Sequence, residues 1–245
     1  MAQRRFGMPT QLERGTDRYS GRDLEADVLG TPKFDKKRYR DLLANNQEPG
    51  GFVARGKIIR IIRDAYTGDP ANPEKDAPQE VLINLRELLG FEDDEDIDRV
   101  RFYSAVGTPL DIFHGTDGWF EIKTDNGSLI EITVDITQNT NLDLEEAKRK
   151  ADLILVETSD PSLLGTVREI KEIGTQRILI YGKFADSNDE GFLDSTEKVA
   201  DALKDLYEYK ILKEAEMQRM SREKRPTATS WRRGATPLDE MQQTG

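Results

Sequence analysis

The chain has 245 residues, with 36 basic and 47 acidic side chains and a formal net charge of −11. It contains no cysteine, which excludes disulfides, thiolate metal sites and a cysteine nucleophile. No apolar run approaches the roughly 18 residues needed to cross a bilayer, and MAQRRFGMPTQLERG carries charge without the apolar stretch of a secretory signal. These features predict a cytoplasmic protein with no membrane association.

The charge is unevenly laid out. Residues 1–40 carry ten Lys or Arg against six Asp or Glu, and residues 219–245 carry six against three, so the segment between them holds a net −18. An acidic body with basic ends is not the usual footprint of a nucleic-acid binder. Residues 1–36 lack sustained periodicity and read as a disordered or extended basic arm. Residues 37–218 read as a single α/β domain, and 219–245 as a disordered basic tail. The tails are expected to be solvated, to touch phosphate without specificity, or to engage a protein partner.

In chain order, residues 37–46 suit a short helix that Gly50 and Gly51 break. Residues 52–66 are apolar and basic, and their isoleucines fit a helix better than a strand. TGDPANPEKDAP, residues 67–78, is a loop with three prolines. Residues 79–90 place Val81, Leu82, Leu85, Leu88 and Leu89 on one helical face, ended by Gly90. Residues 99–106 alternate as a strand, as do 117–123 and 129–137. Residues 142–151 read as a helix and 152–157 as a buried strand. Ser159-Asp160-Pro161 has the cap and proline chemistry of a helix start, predicting a helix to about 173 that stops at Gly174. Residues 177–182 are another buried strand. Asp194 and Glu197 form a D-x-x-E signature ahead of a long helix over 195–221.

The expected fold class is α/β, a mixed β-sheet with an αβββαβ core flanked by helices. Its first three strands form an antiparallel meander, and residues 152–182 form a parallel βαβ crossover. The core spans about 79–182.

The hairpin can be read to its register. Asp125-Asn126-Gly127 suits a three-residue loop, with Gly127 supplying the left-handed conformation. That loop pairs Thr124 with Ser128, Phe120 with Ile132 and Asp117 with Asp135. One face then carries Phe120, Ile122, Ile130, Ile132, Val134 and Ile136. The other carries Asp117, Trp119, Glu121, Lys123, Glu131, Thr133, Asp135 and Thr137, and is predicted to be a polar face. Two carboxylates directly opposite each other are unfavourable unless a cation offsets them. Mg²⁺ or Mn²⁺ would do so, since Mg²⁺ takes one or two carboxylates and keeps several waters. The same two aspartates also suit solvated strand ends beside the His114-Gly115-Thr116 turn.

The order αβββαβ, with Gly115-Thr116-Asp117-Gly118 opening the second strand and Thr133-Val134-Asp135-Ile136-Thr137 on the third, resembles the PD-(D/E)XK (restriction-endonuclease-like) superfamily. The resemblance covers roughly residues 79–157. It implies that Asp117 and Asp135 are catalytic metal ligands in a Mg²⁺-dependent nuclease that hydrolyses phosphodiester bonds of DNA or RNA. The superfamily pattern wants a lysine two residues after the second acid, where this chain has Thr137. Some members supply that lysine from the following helix, which points to Lys148 or Lys150. A literal E-x-K, Glu121-Ile122-Lys123 with Asp111 ahead of it, ranks second. His114, Trp119 and Thr137 are the residues expected to contact substrate: His114 as a base or phosphate ligand, Trp119 stacking on a base or packing under a terminal helix. The alternative is a catalytically inactive interaction or structural protein on the same fold, which Thr137 and the acidic body favour. No G-x-x-x-x-G-K-[ST] or G-x-G-x-x-G occurs.

Overall fold

The computed structural model describes residues 21–91, 93, 95–142, 151–172 and 175–223. Six strands form one mixed sheet flanked by helices. They are β1 (Val100–Ser104), β2 (Gly118–Lys123), β3 (Leu129–Thr137), β4 (Leu153–Glu157), β5 (Val167–Glu172) and β6 (Thr175–Gly182), in the spatial order β1-β2-β3-β4-β6-β5. The first three form an antiparallel meander, β4 joins β3 in parallel and β6 joins β4 in parallel. The α/β class and the mixed sheet are as the sequence predicts.

The hairpin register also matches. Phe120 pairs with Ile132, and the ladder runs out to Gly118 opposite Val134. Gly127 sits at φ 84°, where an L side chain would be strained. Around it, the Thr124 amide donates to the Ser128 carbonyl at 2.9 Å, and Asn126 Oδ1 accepts from the Ser128 amide at 2.9 Å.

One layer of helices covers the apolar face of the hairpin. It consists of α1 (Gly21–Leu29), α4 (Asp76–Leu89) and α6 (Gly191–Glu223), which pack with Phe120, Ile122, Ile132 and Val134 into the main core. In α4, Val81, Leu82 and Leu85 face inward, and Gly90 at φ 70° ends the helix as its amide donates to Glu87 at 3.1 Å. On the other side lie α2 (Lys36–Asn46), α3 (Arg55–Ala65) and α5 (Pro109–His114). Asp35 caps α2 by accepting from the amides of Lys37 and Arg38, both at 3.0 Å. Ile58, Ile59, Ile61 and Ile62 of α3 are buried against Tyr103 and Trp119.

Four expectations are corrected. Residues 21–29 are not part of a disordered arm: they form α1, with Leu24 and Val28 wholly inside the core one helical turn apart. The short amphipathic face lies in a charged segment, and only the tertiary contact stabilises it. The region after Ser159 is not a helix. Asp160 does cap a turn, accepting from the Ser162 amide at 2.9 Å, but Gly165 turns left-handed at φ 74° and the chain continues as β5. Leu163, Val167 and Ile170 fit a helical spacing, yet β5 points only Ile170 inward and leaves its charged residues on a sheet edge. The 152–182 unit is thus a parallel strand pair whose connection ends in an antiparallel edge hairpin.

The third correction concerns the long helix, which starts at Gly191, ahead of Asp194. Asp189 Oδ1 accepts from the Gly191 amide at 2.9 Å, while Asp194 is already inside the helix and pairs with Lys198. The fourth concerns the polar hairpin face, which is buried at Asp117, Trp119, Glu121, Thr133 and Asp135 and exposed at Lys123 at the hairpin end. Trp119 and Thr133 lie under α3 with Glu121, and the three have almost no exposure. The helix predicted over 142–151 falls mainly on 143–150, outside the described residues.

Candidate metal centre

The candidate site forms at the end of the sheet where β2 begins and β3 ends. Asp117 precedes β2 and is held on three sides. Its amide donates to the Val134 carbonyl at 2.9 Å, its carbonyl accepts from the Ala105 amide at 2.7 Å, and its Oδ2 accepts from the Ile136 amide at 2.8 Å. Only 2% of Asp117 is exposed. The next residue must be small: a β-carbon on Gly118 would lie 2.8 Å from the Phe102 ring and 2.9 Å from the Tyr103 carbonyl. This contact lets β2 enter the sheet tightly beside β1 and sets the position of Asp117.

Asp135 lies one residue beyond Val134 on β3, on the same face as Asp117 by the hairpin register, and is buried. Two further carboxylates arrive from other elements. Thr108 caps α5 by accepting from the Leu110 amide at 3.2 Å, and Pro109 occupies the first turn. One turn on, Asp111 Oδ2 accepts from the Gly107 amide at 2.8 Å. Glu25 comes from α1. One carboxylate oxygen each from Glu25, Asp111 and Asp117 lie within 4.8 Å of one another.

The electrostatic consequence falls on Asp117. Burial, then the Asp135 charge, pushes its carboxyl up to about 8; Glu25 and Asp111 add to this and the Ile136 amide opposes it. A second charge close by thus opposes ionisation of Asp117, and a neighbouring cation would favour it. An all-oxygen set of clustered carboxylates is the chemistry of a hard divalent ion such as Mg²⁺ or Mn²⁺.

The structure brings Asp117 and Asp135 to one place, as the register predicts, and adds Asp111 and Glu25. Asp111 is noticeable in the sequence only beside the E-x-K at 121–123. Glu25 is missed because its segment reads as an arm; the Leu24 and Val28 spacing is the one local signal for it. Lys148 and Lys150 lie outside the described residues.

The remaining residues have structural partners. Thr137 Oγ1 accepts from the Asn139 amide at 3.1 Å. His114 Nε2 lies 2.9 Å from the Val53 carbonyl, tying the end of α5 to the chain ahead of α3. Trp119 is not available to stack on a base: it lies under α3, stacked on Tyr103 with ring centroids 4.9 Å apart, and donates to Glu121 at 3.1 Å. The E-x-K glutamate is likewise engaged. Glu121 is 2% exposed and pairs with Arg63, whose guanidinium also reaches Glu131 at 2.7 Å.

No protein-family model, curated protein or solved structure matches the chain.

Proposed function

We propose that this protein is a metal-dependent phosphodiester hydrolase of the PD-(D/E)XK type, acting on DNA or RNA. The observation that carries the reading is the buried Asp117 at the start of β2, facing Asp135 and clustered with Glu25 and Asp111. The strand order supports it, with a meander that joins a parallel strand at β3. Asp117 and Asp135 would hold the ion, with Glu25 and Asp111 completing an oxygen cage. A bound divalent ion polarises a phosphodiester and lowers the pKa of its water.

The chain's own residues supply position. The Ile136 amide fixes the Asp117 carboxylate, and the Gly107 amide fixes that of Asp111. The α3 layer closes the face behind them and keeps water from the hairpin. Such preorganisation holds the charged groups without further rearrangement.

One observation favours a second reading, an inactive interaction protein. Thr137 stands where the pattern places lysine, and its hydroxyl is used to brace Asn139.

The test is a titration of Mg²⁺ and Mn²⁺ into wild type, Asp117→Asn and Asp135→Asn, with thermal stability and cleavage of mixed DNA and RNA substrates as readouts. Wild type should gain stability with metal and cleave, and both variants should lose each response. A wild type that neither responds to metal nor cleaves would sink the hydrolase reading.

A further inference from the structure

The net charge of the chain is −11, but one layer runs against it. Between Lys33 and Tyr66 there are nine Lys or Arg and four Asp or Glu. These residues build the α2–α3 layer over the second face of the sheet. The isoleucines of α3 face the core and Lys57 and Arg60 face outward, while Arg55 and Arg63 reach the sheet. Lys36, Lys37, Arg38, Arg40, Lys57 and Arg60 are exposed, and none forms an ion pair among the described residues. Among the described residues, Arg40 and Arg60 use only their Nε groups, on the carbonyls of Lys36 and Gly56. The terminal guanidinium nitrogens stay available.

An apolar ledge adjoins this layer. Phe52, in the turn between α2 and α3, is 39% exposed, and Ile112 and Phe113 of α5 are 65% and 46% exposed. The Phe52 and Phe113 rings meet edge to face with centroids 6.0 Å apart, and His114 leans on Phe52 at 5.4 Å. Gly50 and Gly51, at φ 95° and 91°, shape the turn that presents Phe52. The turn and α5 thus present Phe52, Ile112 and Phe113 to water as one contiguous apolar patch, the kind of feature that marks an interaction site when rimmed by polar residues.

Both features lead to the acid cluster. Asp111 of the cluster is followed directly by Ile112 and Phe113 on the same short helix. At the start of α3, Arg55 Nη2 donates to Thr133 Oγ1 at 2.9 Å. Thr133 is two residues from Asp135 on one face of β3, a separation of about 7 Å along a strand.

We infer that the α2–α3 layer and the Phe52–Phe113 ledge bind single-stranded nucleic acid and lead it to the acid cluster. The inference rests on the proposed reading of that cluster for what the strand is brought to. Charge complementarity selects the partner: a local excess of cations on an acidic protein suits a polyanion, with phosphates tracking Lys57, Arg60 and the α2 cations. The ledge selects its form. An unpaired base has a free face to lay on a ring, whereas bases in a duplex are already stacked. A purely electrostatic surface would not need the rings.

The test is fluorescence anisotropy of the full chain in EDTA, with one labelled oligonucleotide sequence offered as single-stranded DNA, single-stranded RNA and duplex. Single strands should bind more tightly than duplex and weaken with added salt. Lys57→Glu/Arg60→Glu should weaken binding about tenfold or more and reduce the log–log salt slope by on the order of one. Phe52→Ala/Phe113→Ala should weaken single strands about fivefold or more and leave duplex unchanged. These positions are exposed, so the variants should keep the wild-type melting temperature. Lys171→Glu, on the distant edge strand β5, should have no effect.

The proposal is overturned if single strands do not bind, if duplex binds as tightly, or if the charge-reversal or ring variants bind like wild type. It is overturned equally if a polyglutamate peptide or vesicles of anionic phospholipid compete as well as the single strand. Because binding is read without metal, Asp117→Asn should still bind. Strand binding with no cleavage under any metal would reject the hydrolase reading and leave this surface standing.

Discussion

At the residue scale, Gly118 is the pivot of the site. Its missing β-carbon leaves the space that the Phe102 ring and the Tyr103 carbonyl occupy. Gly118→Ala should destabilise the protein by about 1–3 kcal/mol, the cost of overpacking a tight contact, and shift Asp117 with it. The readouts are chemical denaturation and the size of the Mg²⁺-induced thermal shift; a variant unchanged in both would show that this contact does not position Asp117. Glu121 makes a different point. It is a buried charge answered by Arg63 and by the Trp119 indole, an arrangement that joins α3 to the sheet. Glu121→Ala leaves Arg63 partly uncompensated and should cost about 3–5 kcal/mol. If denaturation shows a loss well under that range, the pair contributes less than its burial implies.

At the scale of elements, α6 is fastened to the hairpin by one polar clamp. Lys210 Nζ donates to the Glu131 carbonyl at 2.6 Å and to Asp152 Oδ2 at 2.9 Å, and the same carboxylate accepts from the Thr133 amide at 2.9 Å. Burial alone would raise the Asp152 carboxyl, but the Lys210 ammonium and the hydrogen bonds of Lys210 and Thr133 outweigh it and hold it below its ordinary value. A carboxyl depressed in the folded state adds stability above its unfolded pKa and loses it as pH falls through the folded value. Asp152→Asn should therefore cost about 1–3 kcal/mol near neutrality, and the gap to wild type should close as pH drops below about 4. A gap independent of pH, followed by thermal unfolding across that range, would exclude the ion pair as its source. The β5 hairpin is the element where local rules misled. Its cap chemistry is genuine for one turn, and then pairing with β6 overrides the helical spacing.

At the scale of the molecule, the sheet is covered on both faces and α1 is part of the closure. Leu24 is wholly buried between α1 and the core, so Leu24→Ala should cost about 2–5 kcal/mol by chemical denaturation. A shortened chain beginning at Lys37 removes this plug together with Glu25. It should unfold at a markedly lower temperature and lose part of any Mg²⁺-induced shift. Wild-type behaviour in that chain would return residues 21–36 to the status of a dispensable arm.

What the sequence determines by itself is local or periodic. Alternation of apolar residues and the Asp125-Asn126-Gly127 loop specify the hairpin register, because a slip of one residue would mix the apolar face of Phe120 and Ile132 with the face of Glu121 and Thr133. Opposing Asp117 and Asp135 follows from that register, as do the faces of α3 and α4 from their isoleucines and leucines. What only the tertiary structure decided depends on contacts distant in the chain. Glu25 reaches Asp117 from α1, Asp111 reaches it from α5, and the polar hairpin face disappears under α3 because Arg63 and Arg55 satisfy it from outside. No spacing within a strand records such pairings, since the chain separations are large and the partner residues read as ordinary surface charges. The hairpin thus places two carboxylates on its own, and folding adds the two others and the basic layer beside them.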